Sequence, residues 1–222
     1  MSKHSGRQAG AATFVARARL IRPQAAVALA VALATVALLA TGQALAQRKP
    51  QPLGQATTIG RVMFEAGDTA RGGNGQPVDG IEGSSSEMLK VHVHAHLSLF
   101  YKGEQIAVPQ GIGIVKPFRE QQGFVGSGQG FYWLHTHDAS GIIHVESPDD
   151  RRYTLGNFFN IWGQPLTGDD VAGLKGKVRA YIDGQAYTGK VREIPLTAHA
   201  QITLVVGEPQ VSPPMYTFPD GL

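Results

Sequence analysis

The 222 residues carry 20 Lys and Arg against 17 Asp and Glu, eight His and no Cys. Without cysteine, disulfides and thiolate chemistry are excluded, stability must come from core burial, and any metal ion must sit on His, Asp or Glu. The basic balance does not argue for nucleic acid, because residues 1–46 hold five of the basic residues and no acidic one, leaving 15 against 17 in the remainder.

The chain begins with Lys3, Arg7, Arg17, Arg19 and Arg22, continues with an almost wholly apolar stretch over 24–41, and reaches Ala44-Leu45-Ala46. A basic start, an apolar middle and a small-residue exit describe a secretory signal peptide over 1–46. The alternative is an uncleaved signal anchor, although the apolar stretch is short for a span of about 20 residues. Either way the expectation is an exported protein: periplasmic, secreted, or held on the outer side of the cytoplasmic membrane by that segment alone. Residues 1–46 contain no adjacent Arg pair, so the twin-arginine route is not indicated.

Residues 47–87 read as a linker and loop region. Residues 47–57 are polar, Ile59 to Phe64 suits a short strand, and 67–87 is crowded with Gly, Ser and Asp. Residues 88–222 then read as a β-rich domain of ordinary size. From Lys90 to Tyr101, Val91, Val93, Ala95, Leu97 and Leu99 alternate with His92, His94, His96, Ser98 and Phe100, the period of two of a half-buried strand. Lys102-Gly103 suits a hairpin turn that sets Leu99 opposite Ile106 and Leu97 opposite Val108.

Residues 109–114 leave the sheet, and 119–130 read as a mobile loop. Phe131 to His137 and Ile142 to Ser147 form a hairpin about a turn at Asp138-Ala139-Ser140-Gly141. Thr154 caps a helix from Leu155 to Trp162 that stops at Gly163. Val178 to Ile182 and a strand from Tyr187 flank Asp183-Gly184, His199 to Val206 is the last strand, and the Pro-rich tail lies extended. Many short strands with one helix imply an all-β fold, mainly antiparallel, as a small sandwich or barrel.

Six of the seven histidines beyond residue 46 are His92, His94, His96, His135, His137 and His144. In the hairpin register, His135 faces His144, Trp133 faces Glu146 and His137 lies diagonal to His144, all on one face. Opposed Cβ atoms about 5 Å apart let two imidazoles share one ion. If the strand at 91–101 lies alongside, up to six imidazoles converge. They could serve one site or two. Imidazole suits Zn, Cu, Fe and Ni, with Cu highest in the affinity order. Glu146 and Asp138 are candidates for partners that orient an imidazole, for ligands, or for a catalytic base. The same residues could instead form a buried His–carboxylate hydrogen-bond network or a pH-sensing patch. His199 reads as structural, and Phe158, Phe159 and Trp162 as core.

LHTHDASGIIHVESP (134–148), YTLGNFFNIWG (153–163), VHVHAHLSLFYKGEQIAVPQGIGI (91–114) and YTFPDGL (216–222) resemble a family of uncharacterised exported bacterial proteins. The resemblance implies that 91–222 is one domain, and it implies no activity. Two His on one strand with a third on its neighbour is also similar to the zinc site of α-type carbonic anhydrases, in local geometry alone. Three functions follow as expectations. The first is an exported Cu or Zn binding protein for carriage, buffering or sensing. The second is a metal-dependent enzyme with a three-histidine site that activates water or dioxygen. The third is a metal-free surface interaction domain.

Overall fold

The computed structural model describes residues 49–67, 72–88 and 90–222, so the expected signal peptide lies outside the described residues. In chain order the strands are β1 (Gln51–Pro52), β2 (Gly83–Ser84), β3 (Val91–Tyr101), β4 (Glu104–Ile106), β5 (Ile114–Val115), β6 (Arg119–Gln121), β7 (Phe124–Ser127), β8 (Gly130–Tyr132), β9 (Leu134–His135) and β10 (Ile142–Ser147). Helix α1 (Leu155–Trp162) follows. After it come β11 (Asp170–Val171), β12 (Leu174–Lys175), β13 (Val178–Ile182), β14 (Gln185–Tyr187), a 3-10 turn at Val191–Glu193, β15 (Gln201–Val206) and β16 (Tyr216–Thr217).

The fold is all-β with one short helix, as the patterning implies. Its centre is a sheet in the order β14-β13-β15-β3-β10-β9, with β4 pairing to β3. The sheets do not close into a barrel. Pairing in the central sheet is antiparallel except between β3 and β15, which run parallel. The period of two in β3 places Ala95, Leu97 and Leu99 on one face beside Ile143 and Val145 of β10 and Ile202 and Leu204 of β15. Helix α1 joins this core, and Phe158, Phe159 and Trp162 are fully buried in it. Burying side chains of this size contributes about 1.5–3 kcal/mol each, so this face anchors the sheet. The opposite face carries the histidines. It too is covered, by small clusters around Leu53, Ile142 and Tyr216 and around Ile114, Val125 and Phe131.

The helix ends follow the sequence. Thr154 Oγ1 accepts from the Asn157 N–H while Asn157 Oδ1 accepts from the Thr154 N–H, and Gly163 closes the helix in the left-handed region at φ 75°. Thr154→Ala should cost about 1 kcal/mol of stability. An unchanged urea midpoint would show that this cap carries nothing.

Several local expectations change. Ile59–Phe64 forms no strand and makes only an isolated bridge at Arg61 to Ile106. Gly60 explains this. It sits at φ 100°, and a Cβ there would lie 2.7 Å from the Gln105 carbonyl oxygen, so the segment approaches residues 105–106 backbone to backbone without extending into a strand. Residues 47–87 are not a bare linker, because β1 pairs with β16 of the tail and β2 pairs with β8. Leu99 does face Ile106, but the β3–β4 pairing ends there, short of Leu97 and Val108. Residues 119–130 contain the hairpin β6–β7, turned by Gln122 and Gly123, both at positive φ. The expected strand over 131–137 is cut at Trp133. Its first part joins β2 and β5, and its second joins the central sheet.

Candidate metal centre

Three short runs, His92-Val93-His94, His135-Thr136-His137 and His144-Val145-Glu146, share the polar face, which is covered except at His92. The period of two turns both ends of each run the same way. Pairing then aligns them. His94 lies opposite His144 and His92 opposite Glu146 across β3–β10, while His144 lies opposite His135 across β10–β9. The register derived from the hairpin is therefore the one formed, and β10 runs between the other two histidine pairs.

The free edge of β9 is clamped by residues 111–113. The Gly111 N–H donates to Thr136 O (2.8 Å), the Thr136 N–H to Ile112 O (3.0 Å) and the Tyr132 N–H to Gly113 O (2.8 Å). Val125 ties down the next turn, its N–H donating to His137 O at 2.8 Å. The histidine run on this strand is thus fixed from both sides.

The ring positions are specific. His135 Nδ1 lies 2.8 Å from Tyr132 O, and His137 Nδ1 lies 2.7 Å from Val125 O. A carbonyl oxygen only accepts, so both Nδ1 atoms carry the proton and donate. Both Nε2 atoms are then left as lone pairs, and they stand 3.1 Å apart. Imidazoles in these tautomers cannot hydrogen-bond to each other, and the two lone pairs together could hold a metal ion. Donors at a Zn–N distance of about 2.0–2.1 Å subtend roughly 100° at this separation, close to a tetrahedral angle.

The remaining donors extend the cluster. His94 Nε2 is 3.1 Å from His144 Nδ1, and Glu146 Oε1 is 3.1 Å from His144 Nδ1, 3.2 Å from His92 Nε2 and 3.9 Å from His135 Nε2. Glu146 is buried, and among the described residues its Oε2 has no hydrogen-bond partner. A buried carboxylate oxygen without a partner is costly in a metal-free protein. Two groups of four ligand atoms lie within 4.8 Å of one another: His92, His94, His144 and Glu146, and His135, His137, His144 and Glu146. Five imidazoles with one carboxylate suit Zn, Cu, Ni or Fe rather than Mg or Ca.

Phe124 stacks on His137 at 4.7 Å between ring centroids, and Phe131 meets His135 edge-on at 5.6 Å. These rings exclude water from one side. The cluster meets solvent at the His92 side chain, which is 41% exposed.

Burial favours the neutral form of four of the rings. Desolvation, followed by repulsion from neighbouring imidazoles, pushes His135 and His144 well below the ordinary histidine range. It lowers His94 and His96 to about 4. In the unfolded chain these rings take up protons from about pH 6.5 downward, whereas folded His94 and His96 stay neutral to about pH 4. Protons therefore favour unfolding within that window. The metal-free protein should lose stability as pH falls from about 6.5 to about 4, with no contribution from these rings above it. The urea midpoint measured against pH checks this. His96→Gln, which keeps a donor for Ser140, should flatten the slope, and a slope unchanged by that variant would contradict the assignment.

Two predicted residues do not join the cluster. His96 turns to the hairpin loop, where its Nε2 is 2.9 Å from Ser140 O and its ring packs on Tyr216. Asp138 is a turn residue. Its carboxylate accepts from the Ser140 N–H and hydroxyl and, at 2.8 Å, from the Ala56 N–H, so it is engaged in the turn and lies outside both ligand groups. Conversely, Glu87 arrives from the Gly/Ser-rich stretch, with Oε1 3.4 Å from His137 Nε2. Nothing in its local pattern marks it, because it is placed by the β2–β8 pairing.

No family model, curated protein or solved structure matches this chain. Function therefore rests on the site. Among the described residues no helix is long and apolar enough to cross a membrane.

Proposed function

We propose that this is an exported protein that binds copper or zinc through His135, His137, His144 and Glu146, for carriage, buffering or sensing. The observation that carries the reading is the pair of Nε2 lone pairs of His135 and His137, 3.1 Å apart with both Nδ1 atoms committed to carbonyls. Such backbone acceptors fix the tautomer and aim of a metal-binding histidine. Export rests on the basic and apolar character of residues 1–46. Binding is favoured over catalysis because the two carboxylates first considered as bases are otherwise engaged, Glu146 among the ligand donors and Asp138 in the turn. Solvent access at His92 supports the enzymatic alternative, in which one coordination position takes water.

The test is metal analysis of protein purified without an affinity tag, combined with melting of the stripped protein in added Cu(II) or Zn(II). Free metal at 100 times its Kd should raise stability by about 2.7 kcal/mol. A protein that purifies without metal and melts at the same temperature with either ion is instead a metal-free histidine–carboxylate hydrogen-bond network.

A further inference from the structure

The donor set is larger than one ion needs, and it has a symmetry in the strand register. Strand β10 supplies His144 and Glu146, and each neighbour supplies a histidine pair: His92 and His94 from β3, His135 and His137 from β9 and the turn beyond it. Neighbouring strands are about 4.8 Å apart, so the two outer pairs stand on opposite sides of the middle one. A zinc ion, with ligand bonds of about 2 Å and four or five positions, cannot take all six side chains. The ligand atoms divide accordingly into two groups of four that share only His144 and Glu146.

We infer that the centre is dinuclear, with one ion on His92 and His94, a second on His135 and His137, and Glu146 bridging them. The inference rests on the metal-binding reading above. The carboxylate of Glu146 supports it independently. Its Oε1 touches histidines of both groups, 3.2 Å from His92 Nε2 and 3.9 Å from His135 Nε2, while its Oε2 is buried without a partner among the described residues. A carboxylate can serve two ions at once, and Oε1 lies near donors of both groups. Carboxylate-bridged ions sit about 3.5–4 Å apart, within the span of this cluster. His144 lies between the two outer pairs and has two ring nitrogens, one of which already faces His94. Glu87, beside His137, brings a second carboxylate to the His135–His137 side of the centre.

Cu(II) titration of the stripped full chain tests this, with copper counted by elemental analysis and examined by electron paramagnetic resonance. The expected result is two Cu(II) per chain with an integrated signal well below that of two isolated ions, because the bridged spins couple. His92→Ala should bind one Cu(II) per chain at full signal intensity. His92 is largely exposed, so this variant keeps its core, and an unchanged melting temperature of the stripped variant checks that. His137→Ala should likewise leave one ion. One Cu(II) per wild-type chain would overturn the pair and leave the single site standing. Two ions with full signal would overturn the bridge, and two ions retained in His92→Ala would overturn the placement. No bound copper would overturn the metal-binding reading itself.

Discussion

Replacing His135 and His144 together by Ala should abolish stoichiometric Cu(II) and Zn(II) binding. These two rings face each other across β9–β10 and stack at 5.2 Å, and His144 belongs to both ligand groups. Loss of a residue that merely orients a ligand costs roughly 10–100-fold in affinity, so loss of two ligands should cost at least about 100-fold. Both rings are buried, and truncation leaves cavities. The Gln variants at the same positions keep more of the volume and should lose the metal with less change in the melting temperature of the stripped protein. Metal affinity measured by competition with a chelator decides the matter. Affinity within a few-fold of the parent would remove these residues from the site. His96→Gln is the contrasting variant: on the same strand face, but turned to Ser140 O, it should leave affinity unchanged.

That contrast also shows what the sequence can and cannot carry. Alternation in 91–101 and the four-residue turn at 138–141 were enough to place His92, His94, His135, His144 and Glu146 on one face, because a strand has a fixed period and a hairpin a fixed count. The helix was legible through Thr154 and Gly163 for the same reason: capping is local chemistry. His96 follows the alternation and still leaves the cluster, since a turn carbonyl lies within reach of its ring. Asp138 looks like a spare carboxylate, yet the nearest backbone N–H groups use it. Glu87 and the parallel β3–β15 pairing depend on contacts between segments far apart in the chain, which no local pattern encodes. The break at Trp133 has a similar origin, because residues 130–132 find partners in β2 and β5 while 134–135 pair with β10.

Residues 111–113, expected simply to leave the sheet, instead hold the β9 side of the centre, and Gly113→Ala should damage both the fold and metal binding although it removes no ligand. Gly113 sits at φ 72°, and a Cβ there would lie 2.2 Å from Leu134 O and 3.1 Å from the Cβ of His135. The left-handed backbone alone costs a non-glycine residue about 1 kcal/mol. The contact with Leu134 O is backbone against backbone, so one strand must shift, and the total loss should reach at least about 2 kcal/mol. Moving Leu134 and His135 also moves His135 Nε2 out of line with His137, so metal affinity should fall although every ligand is present. Gly173→Ala separates the two costs. Gly173 lies at φ 83° in the β11–β12 turn with nothing within 4 Å of its Cβ position, so it bears the backbone strain without the collision. Denaturant melts should show the smaller loss there, with unchanged metal affinity. Equal losses in the two variants would mean that the approach of residues 111–113 to β9 does not hold His135 in place.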